Sequence, residues 1–391
     1  MPNESTLSPT SENGQPSDTT QAMLPNPASP GSTTRRIVEL DSLRALAAIN
    51  LLLFHFTHVY SVKYGYTSPL GFEFAWGKYG VQLFFMLSGL VNAMTLMKKR
   101  QPGEFLASRF IRIFPSFWLV MLVNLALLLV LPLSASHVTP DQFAANMTVM
   151  PNLFGYSCIE PVTWTLQVEI LFYAVLLFLF ISGQLRTPVR TVGLVLLLSL
   201  AVCLPLKMMP TVAHSAWGNN LAFLNRIMIL EFLPLFTIGI LINEIKNKRG
   251  KVWLNATGIV ASAVVFHAID QHGHNPVITV GMIGLLGFSA FGKFPPLRFR
   301  PLVYVSAISY SLYLMHNNLG CTLIYHLNQN GVSPLLSMIL ATIAMIIVSS
   351  VATFYIERPI SNALRWCWVR IRKVHWIDSL QTKLNERVAA F

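Results

Sequence analysis

Charge is scarce in this chain. Only 11% of the 391 residues are Asp, Glu, Lys or Arg, against 53% that are apolar. That balance excludes an ordinary water-soluble domain and points to a polytopic membrane protein. Cysteine is scarce as well. Cys158, Cys203, Cys321 and Cys367 are scattered, with no CxxC and no metal-ligand spacing, so neither a disulfide framework nor a bound metal is expected. There is no internal repeat and no soluble catalytic domain. Residues 1–34 contain no Lys or Arg and are rich in Ser, Thr, Pro, Asn and Gly. Such a segment buries too little apolar surface to fold, and it lacks the basic and apolar parts of a cleaved signal peptide. Residues 1–36 are therefore expected to be a disordered leader.

Apolar runs predict ten membrane-crossing helices, near 43–62, 79–97, 113–132, 163–182, 191–206, 226–243, 252–269, 277–291, 302–325 and 334–356. With the N-terminus inside, 24 of the 28 Lys and Arg residues fall on inner segments, and only Lys63, Lys78, Lys207 and Arg226 fall outside. This asymmetry predicts both termini in the cytoplasm and an all-α protein of the inner (plasma) membrane. Basic residues in short inter-helix loops are not a nucleic-acid surface, so no nucleic-acid partner is expected. The longest outer loops, about 133–162 and 207–225, either connect helices or shape an acceptor pocket. The chain divides into the leader, a membrane domain over 37–358, and a basic tail over 359–391. The tail's Arg365-Trp366-Cys367-Trp368-Val369-Arg370 pattern suits an amphipathic segment on the inner leaflet.

Ionisable residues inside apolar segments are costly and usually line a cavity or a reaction path. Arg44 and His55 both lie in the first apolar run. Eleven residues turn an α-helix through about 1100°, so the two side chains share a face about 16 Å apart along the axis. Counting residues from the outer surface places His55, Glu169, Glu231 and His316 all roughly 8–14 Å deep. Two imidazoles and two carboxylates at one depth suggest a polar cavity in which a carboxylate orients a histidine. Each also has a plainer reading. Glu169 would bond Trp164 or Tyr173, Glu231 would pair with Arg226, and His316 would bond a backbone carbonyl. His272 and His274 read as solvated loop histidines. On the inner side, Arg109 and Arg112 stand i, i+3 on one helix face, where two guanidiniums can grip phosphate. Plain positive-inside charge is the competing account.

Together these runs resemble the acyltransferase-3 family of integral membrane acyltransferases over residues 37 to about 360. The matching elements are Asp41-x-x-Arg44 with Arg44-x10-His55, Gly80-Val81-Gln82-Leu83-Phe84-Phe85-Met86-Leu87-Ser88-Gly89, and the R-x-x-R of Arg109 and Arg112. To these add Trp164-x4-Glu169, Glu231-Phe232 leading to Gly239, Ser309-Tyr310-Ser311-Leu312-Tyr313-Leu314-x-His316, and Glu357-Arg358-Pro359. The resemblance implies transfer of an acyl group, usually acetyl, from cytosolic acyl-coenzyme A to a hydroxyl of a cell-surface glycan or a small product. It makes His55 catalytic with support from Glu169, and gives donor binding to Arg44, Arg109 and Arg112. Asp41, Ser88, Trp164, Glu231 and His316 would line the site. No permanently bound cofactor is implied, since acetyl-CoA enters as a substrate. The fused extracytoplasmic hydrolase-like domain of some relatives is missing. Acyl delivery would therefore finish within the membrane domain or involve a separate extracytoplasmic partner. His55 would act as general base or carry the acyl group itself. The alternative class is a transporter or flippase for an anionic sugar or lipid, but such proteins tend to show repeated halves.

Overall fold

The computed structural model describes residues 37–99, 101–130 and 138–372. The expected leader, Arg100, residues 131–137 and the end of the basic tail from 373 onward lie outside the described residues. Among the described residues there is no strand. The helices are α1 (Val38–Phe54), α2 (Gly80–Lys99), α3 (Pro102–Val130), α4 (Pro140–Met147), α5 (Trp164–Ile181), α6 (Pro188–Met208) and α7 (Ala216–Met228). They continue with α8 (Leu233–Lys246), α9 (Val252–Ile269), α10 (Pro276–Ala290), α11 (Arg300–Met315), α12 (Asn318–Gln329), α13 (Pro334–Val351) and α14 (Arg358–Ile371). Proline opens α3, α6, α10 and α13, where its missing N–H costs no helical bond. Asn275 caps α10, its Oδ1 accepting from the Val277 N–H at 2.9 Å.

Each expected span falls on helix, and eight helical runs are long and apolar enough to cross a bilayer. The chain is an all-α polytopic membrane protein. Two spans differ from their predicted form because the helix breaks at depth. The sixth is interrupted between α7 and α8, where Ile229 takes the left-handed conformation (φ 51°) and Glu231 sits in the gap. The ninth breaks at His316-Asn317, between α11 and α12. A third difference lies in the tail, whose start continues from α13 as α14 and packs on α3. Trp368 Nε1 and Arg372 Nη1 donate to Glu104 at 3.1 and 2.8 Å, and Ser361 Oγ donates to the Ile111 carbonyl at 3.2 Å.

The core is fixed by the crossing of α2 and α8. A Cβ on Gly89 would lie 2.1 Å from the Phe236 carbonyl oxygen, and one on Gly239 would lie 2.0 Å from that of Met86. Only glycine permits backbones this close. The contact seats Ser88, beside Gly89, on the wall of the central cavity.

Two π turns, each closing i to i+5, interrupt the α geometry. The first spans His55–Val59 and closes from the Tyr60 N–H to the His55 carbonyl. Its loosened carbonyls find side-chain donors: Tyr66 Oη bonds Phe56 O at 2.6 Å and Thr57 Oγ1 bonds Leu53 O at 2.7 Å. The second spans Ala352–Glu357 and presents Glu357 to Ser311 Oγ at 2.9 Å.

Candidate active site

Arg44 from α1, Arg109 and Arg112 from α3, Ser88 and Asn92 from α2, Glu169 from α5 and Tyr310 and Tyr313 from α11 line one cavity. The i, i+3 phasing of Arg109 and Arg112 does put both on the cavity face. Arg44 Nη1 bonds Asp41 Oδ1 at 3.0 Å, so Asp41 braces the arginine from one turn below and is not part of the lining. Arg109 is buried, its guanidinium 5.2 Å from the Phe105 ring centre and 5.7 Å from that of Tyr173, and its Nε has no hydrogen-bond partner. Among the described residues neither Arg109 nor Arg112 forms an ion pair with a carboxylate. Glu169, in the same lining, balances only part of the charge of the three guanidiniums, and burying the remainder is costly unless an anionic ligand offsets it.

Glu169 faces this arginine cavity and not the histidines. Its Oε1 accepts from Ser88 Oγ at 3.2 Å and from the Tyr173 hydroxyl, while Asn92 Nδ2 donates to Ser88 Oγ at 2.8 Å. Of the plainer readings, Tyr173 is therefore the partner and Trp164 is not. Among the described residues no hydrogen bond joins Glu169 to His55. Residue counting misjudged its depth because α5 starts inside the bundle. The short turn Pro161–Thr163 tucks under the end of α11, and Tyr313 Oη meets Thr165 Oγ1 at 2.6 Å. Glu169 lies four residues below Thr165 and His316 three above Tyr313, which separates their levels by about 10 Å. Glu169→Gln should leave the acidic limb of a pH–rate profile where wild type has it, while the donor KM falls because one negative charge leaves the cavity. A shifted acidic limb in purified variant would restore Glu169 to the histidine.

His55 and His316 do meet. His316 Nε2 lies 3.1 Å from His55 Nδ1, with the rings edge to face at 4.8 Å. Carbonyl oxygens fix the proton positions, since they only accept. His55 Nδ1 is 2.8 Å from Leu51 O, so it carries a hydrogen. His316 Nδ1 is 2.7 Å from Tyr313 O and carries one too, which leaves His316 Nε2 as a second, longer acceptor at 3.1 Å that shares the single His55 Nδ1–H with Leu51 O. The unshared lone pair of His55 is then on Nε2. Tyr313, one turn from His316, lines the arginine cavity, whereas the two histidines adjoin it without forming its wall.

Glu231 and Trp164 belong elsewhere. They line a second pocket with Arg226; among the described residues the imidazole Nε2 of His272 is 3.7 Å from Glu231, and the Arg226 pair of the plainer reading is not made. The Glu231 backbone N–H is held by Asn225 Oδ1 at 3.0 Å.

One group went unremarked in the sequence. Glu160 is fully buried below the helix break, its Oε1 accepting from Asn317 Nδ2 at 3.0 Å and its Oε2 from the Asn318 N–H at 3.3 Å. Asn318 Nδ2 in turn bonds Asn124 Oδ1 at 2.7 Å, tying α3 to the turn that carries His316. An acid in a Pro- and Ser-rich loop gives no periodic signal of burial. Burial pushes the Glu160 carboxyl up to about 7 from 4.5. A raised folded-state value stabilises the fold fully below about pH 4.5, and that stability is lost as pH rises through about 7. Thermal melts of wild type in nanodiscs should show this loss, and Glu160→Gln, neutral throughout, should not. Parallel pH dependence in both proteins would discard the assignment.

The helices thus surround a cavity lined by three guanidiniums, with a pair of imidazoles beside it. Residues 37–354 match the acyltransferase-3 family, described as an acyltransferase domain, and the chain belongs to it. It is a membrane O-acyltransferase. The exopolysaccharide production protein ExoZ of Rhizobium meliloti (strain 1021) is 27% identical over 318 residues, which cover 74% of this chain and 91% of ExoZ. The O-acetyltransferase OatA of Staphylococcus aureus (strain NCTC 8325 / PS 47) is 25% identical over 375 residues, or 83% of this chain and 57% of OatA. This chain thus spans little more than half of OatA. Nodulation protein 10 of Rhizobium leguminosarum bv. viciae is 26% identical over 154 residues, 35% of this chain and 42% of that protein. No solved structure matches the chain.

Proposed function

We propose that the chain transfers an acyl group, acetyl in the first instance, from cytosolic acyl-CoA to a hydroxyl of a cell-surface glycan, in the plasma membrane. The observation that carries this reading is the excess of positive charge in the cavity, where the guanidiniums of Arg44, Arg109 and Arg112 outnumber the single lining carboxylate, Glu169. The diphosphate and 3′-phosphate of coenzyme A supply the missing charge. With the phosphates at the arginines, the pantetheine arm lies along α1, and its length is of the order of the about 16 Å between Arg44 and His55.

His55 Nε2 then removes the proton of the acceptor hydroxyl. The oxygen attacks the thioester carbonyl, the C–S bond breaks, and the imidazolium returns its proton to the departing thiolate. The Leu51 carbonyl holds the imidazole in the tautomer that leaves Nε2 free, and His316 Nε2 shares the Nδ1–H as charge develops on the ring. Ser88 Oγ is committed to Glu169 and takes no part at the carbonyl. The reading is supported by likeness to an exopolysaccharide production protein, ExoZ, and an O-acetyltransferase, OatA.

The test is release of free coenzyme A from acetyl-CoA by the purified protein in nanodiscs. A thiol reagent follows the release, and label from acetyl-CoA is traced into added polysaccharide. Release that depends on acceptor, with label in an alkali-labile ester, is the expected result. No release with any hydroxylated acceptor would count against the donor assignment.

A further inference from the structure

The end of the bundle opposite the arginines carries a second pocket, formed where both long outer loops meet. Met150, Asn152 and Leu153 come from the first loop, Ala213, Ala222 and Asn225 from the second and the helix that follows it, and Gln271 from the α9–α10 turn. The polar lining is mostly amide: Asn152, Gln167, Asn225 and Gln271. Its charges compensate, since Arg226 and Glu231 are the one guanidinium and the one carboxylate in it. Trp164 lies in the same wall with 37% of its surface exposed, backed by Phe232 at 5.5 Å and Phe85 at 6.3 Å between ring centres.

Those three rings are also a partition. Phe85 faces the arginine cavity, Trp164 and Phe232 face the outer pocket, and Thr165, the residue after Trp164, lines the arginine cavity. The two cavities therefore stand back to back across the first turn of α5. Exposed aromatic faces stack against the C–H faces of sugar rings, and planar amides supply paired donors and acceptors for vicinal hydroxyls. A balanced charge disfavours a polyanion.

We propose that this pocket binds the acceptor as an uncharged sugar chain of hexose or N-acetylhexosamine units, with one ring stacked on Trp164. This deepens the acyl-transfer reading and rests on it for the word acceptor, although the binding site stands on its own lining. In it, Trp164 provides the platform, and Gln167, Asn225 and Gln271 are the hydroxyl-recognising amides.

The experiment measures saturation-transfer NMR on the full chain in nanodiscs with cellotetraose, chitotetraose and trigalacturonate. Wild type is expected to bind a neutral oligomer, Trp164→Ala to weaken it by about tenfold, and Trp164→Phe to retain most of it. Gln271→Ala, in an exposed turn that carries no core packing, guards against misfolding as the cause and should weaken binding severalfold. Lack of neutral-oligomer binding by wild type, equal binding by Trp164→Ala, or preference for trigalacturonate would each overturn the proposal. Coenzyme A release from acetyl-CoA is measured on the same samples. Loss of sugar binding with intact release fails the pocket, whereas sugar binding with no release in wild type fails the donor reading.

Discussion

Replacing His55 by alanine is expected to abolish acyl transfer, reducing the rate by about 10²–10⁴-fold as for removal of a positioned general base. Expression and membrane insertion should stay near those of wild type. The ring is only half-buried, and its contacts are one backbone carbonyl and His316. The structure adds a second arm. His316→Ala removes the acceptor for the Nδ1–H of His55 but leaves the Leu51 carbonyl in place, so His55 keeps its tautomer and part of its activity. His55→Ala should therefore be the more severe. The assay is turnover of labelled acetyl-CoA by purified variants. Most of the activity surviving in His55→Ala would sink the catalytic assignment, and a larger loss in His316→Ala would exchange the roles of the two rings.

The second large effect belongs to the arginine pair. Arg109→Ala combined with Arg112→Ala should raise the donor KM steeply and leave acceptor dependence nearly unchanged. Charge-assisted phosphate contacts contribute roughly 1.5–3 kcal/mol each, so the double variant is expected to lose two or more orders of magnitude in donor kcat/KM. A purely topological role predicts a different outcome, namely altered orientation with normal donor affinity in correctly oriented molecules. Cysteine accessibility of the adjacent loops separates the two. Normal topology with an unchanged donor KM would remove these residues from the donor site. Because Arg109 is buried among Phe105 and Tyr173, Arg109→Lys is a useful companion. It keeps the charge and most of the packing but loses the planar fork that grips two phosphate oxygens.

The sequence showed the helices and the arginine face because both follow from local rules. Apolar length marks a crossing, and 3.6-residue phasing puts Arg109 beside Arg112 and Arg44 in line with His55. The pairing of His55 with His316 was legible only as a shared depth, and the azimuth that makes it a contact comes from packing of α1 against α11. Depth counting failed for Glu169 for a definite reason: it assumes that a helix begins at the membrane surface, and α5 begins lower. Glu231 failed similarly, since the left-handed Ile229 ends α7 and turns the acid into the outer pocket. Glu160 left no trace in the sequence because burial of a loop residue is decided by what folds over it, here Asn317 and Asn318.

The π turn after His55 has a consequence for how much variation the molecule tolerates. It is a phase break in the first helix: everything from Arg44 to His55 keeps one angular alignment, and everything beyond is offset by the extra residue, worth about 100° of rotation. The segment past the break is anchored to its own loop, through Tyr66 to the Phe56 carbonyl and through the Phe74 N–H to Thr57 Oγ1. Changes of length at the exposed residues 71–72, outside the anchors at Tyr66, Thr67 and Phe74, are thus absorbed above the break and do not re-aim the imidazole. That short stretch is free to vary, as adaptation to a new acceptor would require, while the line from arginine to imidazole stays fixed.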